Sequence, residues 1–487
     1  MGVGPPRLNP YNKILSRLFE FLALFCILKK VDGPHSITLD PPNLQARRRF
    51  LRNLCFICDY QKGGDTTTAI AVQARPVKFW VAMNSTPNYQ ALAFLAGILD
   101  ELKGVPEAPE AEHDSIADVV KQKCASFAAP RLKKECKILS NAARDCEKYL
   151  EAHAADVQTP GVAALIAWLP RFKFKTGESV LPLCQTAYNV RHDPQMETLE
   201  ALRNELSVAP EKITKALRTV KHFIGRLSER IRVPRILVQD ACQLGALLNT
   251  YQIGRVEAPT AAKVPQADGL TNLDSILKRM LTAGDPRLEE MRSYLSWLDG
   301  PTGLGAAIRV VYDEDCAKPR VHAEIQMLEH FHRNELEFMD RDRYIACSKL
   351  ACLSCKFYFR HHPGRFVEPN SHQKAYLNWR PVLLPDGSQD QYWHEQRPTL
   401  AWVSKEFSRA VEEQITSRQQ PAAYQADSIT NITASIDSAL DLSDVGDEFL
   451  SDRETSDDTA SLRHLHTDDT DEDSCDSDDG SEGGVSL

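Results

Sequence analysis

Two short segments, Val321-His322-Ala323-Glu324 and Cys352-Leu353-Ser354-Cys355, constrain the fold of this chain more than anything else in it. One imidazole and two thiols are donors that zinc accepts, and a catalytic zinc takes three protein ligands and keeps its fourth position for water. Any fold that uses them must carry two places in the chain, about thirty residues apart, to a single point. It must also leave Glu324 beside that point as a base. Neither motif decides the matter alone: with 14 His in the chain, a His-x-Glu arises by chance about once. A second pair, Cys55 and Cys58, stands far upstream with no His-x-Glu next to it.

Context separates the two cases. Residues 321–334 place Ile325, Leu328 and Phe331 on one face of a helix, so His322 and Glu324 belong to its first turn. Tyr344-Ile345-Ala346-Cys347 reads as a short buried strand, followed by a turn at Ser348-Lys349 and a helix from Cys352 through Phe357 and Phe359. Both half-sites thus fall at helix N-termini, where unpaired N–H groups and the helix dipole favour thiolate over thiol. Zinc lowers the pKa of its bound water towards neutrality and so makes hydroxide available as a nucleophile. Glu324 is suited to take the water proton and pass it to a ring nitrogen, then to departing ammonia. Standing alone it would read as a carboxylate stabilising a helix N-terminus.

His322-Ala323-Glu324 with Cys352-x-x-Cys355 resembles the cytidine deaminase-like superfamily. Within it, the chain is similar to fungal deaminase-like proteins with large helical regions. The likeness rests on Ser348-Lys349 before the Cys pair and on Ser371-His372-Gln373-Lys374 to Trp379 after it. Many deaminases carry Pro before the first Cys, where this chain has Ala351. The resemblance implies an α/β fold with a three-layer core, Zn2+ held by His322, Cys352 and Cys355, and Glu324 as proton shuttle. It also implies hydrolytic loss of ammonia from a nucleobase, with Ser348 and Lys349 among the substrate contacts.

The superfamily core opens with a helix and a β-hairpin ahead of its His-x-Glu helix. Residues 306–312 read as a strand just upstream of His322, but a better hairpin lies far away: residues 66–72, a turn at Arg75-Pro76, and residues 77–82. Residues 45–60 would then be the first core helix, with Cys55 and Cys58 as apolar filler. Asn84 follows the second strand. In the resembling enzymes an Asn there commonly contacts the substrate's sugar; the plainer reading is a polar residue that ends a strand. Residues 86–304 become a large all-helical insertion, with helical spacing over 89–102, 114–127, 132–152, 162–169, 196–206, 211–230, 238–252 and 273–298. The last is broken near Gly284-Asp285-Pro286. The alternative is an independent helical accessory domain, with the catalytic domain starting near residue 300. The expected division is an N-terminal helical segment over 1–39, a first core part over 40–85, the helical region over 86–304, a catalytic core over 305–418 and an acidic tail over 419–487.

At 43% hydrophobic residues, the chain can bury a sizeable core. Its 13 Cys, an odd number without framework spacing, point to a reducing interior, cytoplasm or nucleus. Residues 14–28 are apolar but contain Arg17 and Glu20 and stop at Lys29-Lys30, too short and too charged for a membrane span. An amphipathic helix packed on the body is the better reading. No small-residue cleavage site follows it, and Pro6 stands where N-myristoylation needs Ser or Thr.

The net charge of −9 is unevenly spread. Residues 426–487 hold 19 Asp and Glu against Arg453 and Arg463, which is −17 there and leaves +8 on residues 1–425. Such a tail cannot bury enough apolar surface to fold. It is expected to be a disordered acidic segment that binds basic partners or competes with nucleic acid for the chain's own body. Basic groups gather at Arg47-Arg48-Arg49, over 215–235, and at Lys356, Arg360, His361, His362 and Arg365. With Tyr358, Phe359 and Phe366 they are candidates for phosphate and base contacts, against a plainer reading as solvated helix faces and core aromatics. The sequence therefore points to a Zn2+-dependent hydrolase acting on a nucleobase in a nucleotide or single-stranded nucleic acid. Two other classes compete with it: a catalytically silent, zinc-stabilised interaction protein of the same fold, and a helical scaffold whose Cys and His merely pack.

Overall fold

The computed structural model describes residues 8–28, 36–153, 157, 159–206, 211–281, 284–302, 304–312 and 318–417. The acidic tail, and with it the binding expected of it, lies outside these residues. The chain is helix-rich around a small mixed sheet. Helix α1 (Pro10–Leu28) is followed by α2 (Gln45–Cys58) and by a hairpin of β1 (Thr68–Gln73) and β2 (Lys78–Met83), paired antiparallel with Ile70 opposite Val81. The hairpin's side chains divide between two clusters. Ile70, Val72, Phe79 and Val81 join the cluster built on Phe50, Leu54 and Ile57 of α2. Ala69, Ala71 and Ala82 face the opposite way. This period-two alternation gives the sheet one face of branched and aromatic residues and one of alanines that also carries Trp80, and a helix can approach closely over the alanines.

The chain then leaves the sheet for α3 (Tyr89–Lys103), α4 (Glu110–Phe127), α5 (Ala129–Ala152), α6 (Val162–Trp168), α7 (Leu181–Val190), α8 (Gln195–Glu205), α9 (Glu211–Ala241) and α10 (Gly245–Leu248). Leu132, Leu139, Leu165, Cys184, Leu202 and Val220 form a core separate from the sheet's. Helix α9 runs through Pro234, so the two helices expected over 211–230 and 238–252 are one as far as Ala241. The end of that stretch is instead β3 (Gln252–Arg255), which returns to the sheet and pairs parallel to β2.

Next come α11 (Leu273–Met280), α12 (Arg287–Thr302) and α13 (Leu304–Val311). The strand expected at 306–312 is therefore helical. Leu304, Ile308 and Val311 recur at helical spacing and bury one face in the cluster that also holds α1, a tertiary gain that overrides the β-branched composition. The remaining elements are α14 (Ala323–Arg333), β4 (Ala346–Cys347), α15 (Leu353–His361) and α16 (Trp393–Thr416). β4 pairs antiparallel to β1, giving the order β3-β2-β1-β4. Helix α14 lies on the alanine face, its Ala323, Ile325 and Leu328 in the same cluster as Ala69, Ala71 and Ala82.

Helix α1 packs more deeply than a surface amphipathic helix. Leu22 and Leu24 are buried on it, and so are Ser16 and Glu20. The Glu20 carboxylate is met by Arg17, Arg279 and Thr271. No helix among the described residues is long and apolar enough to cross a membrane.

Candidate metal centre and active site

Helix α14 starts at His322, whose extended backbone (φ −71°, ψ 151°) makes it the N-cap. Its carbonyl accepts from the N–H groups of Ile325 and Gln326, each at 3.0 Å. The free N–H of Ala323 donates to Asn84 Oδ1 at 2.8 Å, so a side chain from the end of β2 caps the helix. Gln326 Nε2 ties the same turn to the carbonyls of Met83 and Val321, both at 2.8 Å.

Helix α15 is built in a matching way. Cys352 is its N-cap, and Cys352 Sγ accepts from the Cys355 N–H at 3.4 Å. The two intervening residues put both sulfurs on one face, one turn apart. The segment named for its Ser-His-x-Lys pattern secures this cap. Ala351 N–H donates to Asn370 O at 2.9 Å and Leu353 N–H to Lys374 O at 2.7 Å, while His372 N–H donates back to Ala351 O at 3.2 Å. Ser371 is fully buried and exchanges two backbone hydrogen bonds with Ser36.

The two helix starts meet. His322 Nδ1 lies 3.5 Å from Cys352 Sγ and 3.4 Å from Cys355 Sγ, and all three donor atoms lie within 4.8 Å of one another. Zn–N and Zn–S bonds at a tetrahedral angle put such atoms roughly 3.5 Å apart, so both the donor types and their spacing fit zinc. Trp379 Nε1 donates to Cys355 Sγ at 3.2 Å, an outer-layer bond that orients the sulfur and withdraws charge from it. The Tyr376 ring stands 6.3 Å from the His322 ring. Burial opposes a charge on Cys352, but its contacts with Cys355 and His322 outweigh this and hold its thiol below the ordinary range.

Glu324 is 4% exposed. Its Oε2 is 4.0 Å from the Cys347 sulfur, and burial pushes its pKa above the usual carboxylate range. His322, Cys352 and Cys355 thus converge, and Glu324 is buried in the turn that follows His322.

The other predicted site residues are engaged by the chain itself. Besides capping α14, Asn84 donates from Nδ2 to Gly64 O at 2.7 Å. Ser348 is buried, and its hydroxyl accepts from Thr68 N–H at 3.0 Å. Lys349 reaches Asp59, 3.8 Å away. Asp59 itself carries no motif that would have marked it.

Several members of the basic clusters also meet partners within the chain, while Lys215, Arg235, Arg360 and Arg365 are exposed. Arg47 pairs with Asp340 and Asp342, Arg48 with Asp342 at 2.7 Å and Asp40 at 3.0 Å, and Arg49 with Asp240 at 2.8 Å. In the 215–235 stretch, Arg226 and Arg230 are buried, Arg226 on Glu135 and Arg230 over the Phe56 ring. Arg360 pairs with Glu368, His361 with Glu406, and Lys356 is buried. Tyr358 and Phe359 lie in the core rather than on a stacking surface.

Residues 321–385 match the family model described as OTT_1508-like deaminase, a cytidine deaminase-like family. This segment is a deaminase-like domain. The match spans both half-sites and runs past Trp379, so the deaminase domain holds all three donors, Glu324 and the bond from Trp379 to Cys355. No curated protein and no solved structure matches the chain, and the closer likeness to fungal proteins finds no support in these comparisons.

Proposed function

We propose that the chain is a zinc-dependent hydrolytic deaminase acting on a nucleobase carried by a nucleotide or single-stranded nucleic acid. The observation that carries this reading is the convergence of His322, Cys352 and Cys355 inside a segment that matches a deaminase family. In it, residues 40–85 and 305–418 are the two parts of a three-layer core, and 86–304 is a helical insertion. The return of β3 to the sheet after the helices supports insertion over an independent domain. His322, Cys352 and Cys355 would hold Zn2+, which when bound supplies a Lewis acid that makes water nucleophilic near neutral pH. Glu324 takes one proton from the attacking water and delivers it to the ring nitrogen, then carries the second, from the hydroxyl that the attack forms, to the amine as the C–N bond breaks and ammonia leaves. Its burial favours a carboxylate that exchanges protons close to working pH.

One observation favours a second reading, a zinc-stabilised protein of the same fold without activity: Asn84, Ser348 and Lys349 all have partners within the chain. Purified full-length protein separates the two. One zinc per chain is expected, lost in Cys352→Ala, with ammonia released from a cytosine- or adenine-containing substrate. Glu324→Ala should keep the zinc and release none. Zinc without ammonia from any free or polymeric substrate would favour the silent protein, and absence of zinc would overturn both readings.

A further inference from the structure

Away from the metal ligands, a cavity of about 290 Å³ lies between α1 and the segments 262–266 and 379–383. That is the small end of the range for ligand sites. Its wall is apolar, with Leu15, Phe19 and Leu22 of α1 facing Val264 and Trp379. Two basic residues interrupt the wall, the exposed Lys263 and the buried Arg380. Arg380 lines the same cavity and is only 8% exposed. Its guanidinium donates to the carbonyl oxygens of Pro319 and Pro381, each at 3.1 Å, and of Thr260. Among the described residues no carboxylate pairs with it, and desolvation pulls its pKa down. A buried cation surrounded only by carbonyl dipoles keeps its full charge, so an anion placed against it gains much of the Coulomb energy that water would otherwise screen. The guanidinium fork has N–H groups left over for such a contact.

We propose that this cavity binds an amphipathic monoanion, an aliphatic carboxylate of medium chain length, with its chain along α1 and its carboxylate on Arg380. Apolar walls select the chain and the buried guanidinium selects the head group. The site is joined to the metal ligands. Trp379 forms part of its wall and donates to Cys355 Sγ, and the Arg380 N–H donates at 3.0 Å to the carbonyl of Arg320, two residues before His322. An occupant therefore presses on the segments that hold His322 and Cys355. The binding itself does not depend on catalysis.

Calorimetric titration of the full-length protein with decanoate, decanol and acetate, below micelle-forming concentrations, tests this. Decanoate should saturate. Decanol lacks the charge and acetate lacks the chain, so each should bind at least about tenfold more weakly. Leu15→Trp fills the cavity from its half-buried wall and should abolish decanoate binding while leaving zinc content intact. Arg380→Gln should reduce decanoate to the affinity of decanol. Equal affinities for decanoate and decanol would overturn the anionic ligand. Undiminished binding to Leu15→Trp would overturn the location. Absence of any saturable decanoate binding, as expected if another part of the chain fills the groove, would overturn the site. Should Arg380→Gln fail to fold, the decanoate-to-decanol ratio on the native protein still decides.

Discussion

The Asn84 amide accepts from the Ala323 N–H and donates to the Gly64 carbonyl, and so fixes the first turn of α14 to the end of the hairpin. Removing a side-chain cap of this kind typically costs about 1 kcal/mol. Asn84→Ala should therefore lower the unfolding free energy by that much and shift the urea midpoint down, whereas Asn84→Asp, which keeps the acceptor, should lose less. An unchanged midpoint in the alanine variant would rule out the capping role. Trp379 acts on a different atom. Its indole N–H points at the Cys355 sulfur, and outer-layer bonds of this type are worth about 10–100-fold in metal affinity. Trp379→Phe keeps the ring and drops the donor, so competition against a chelator should show zinc held more weakly by that order. Sequence patterns mark both residues, one as the polar end of a strand and one within the segment after the Cys pair. Neither pattern says which atom the side chain reaches.

Elements defined by local chemistry match their sequence signals. The hairpin has alternating apolar runs and a Pro turn, α14 begins at the extended backbone of His322, and α15 begins where the Cys352 sulfur caps it. Elements defined by what they dock against do not. Residues 306–312 are rich in strand-forming types, yet α13 is helical because one face of that helix is buried against α1. β3 is four residues long and exists because β2 offers an edge to it. Gly254 permits that pairing. A Cβ built there would run into Lys78 Cε and stand 2.7 Å from Trp80 Cε3, whose side chains stack on each other along one face of β2. Gly254→Ala must push one of them aside, and overpacking of this sort costs about 1–3 kcal/mol. Chemical denaturation should register that loss, and a variant as stable as the wild type would mean that the close approach at Gly254 is not needed for the pairing.

Across the whole molecule, a buried ion network joins the helical region to the sheet. Asp59, just after α2, meets Arg131 of α5 at 3.1 Å; Arg131 meets Glu135 at 2.9 Å; and Glu135 meets Arg226 of α9 at 3.1 Å. Burial opposes the charge on Asp59, but Arg131 and Lys349 overcome it and hold the carboxyl at about 2. Glu135 is held at about 2 in the same way by Arg226 and Arg131. Both folded values lie below the unfolded ones of about 4, so their contribution is complete above that pH and is lost as pH falls towards 2. Stability against urea should drop steeply across that window. Asp59→Asn should flatten this acid limb and, by leaving Arg131 short of a partner, cost about 3–5 kcal/mol at neutral pH. A variant with the wild-type acid profile would exclude Asp59 from the linkage. By itself the sequence determined the two short motifs, the helix starts that carry them and the hairpin beside them, because turns and one-turn spacings are settled within a few residues. The tertiary structure alone decided that Arg47, Arg48 and Arg49 face carboxylates rather than solvent. Arg49 and Asp240 lie 191 positions apart, and no local pattern records a charge that only folding brings near.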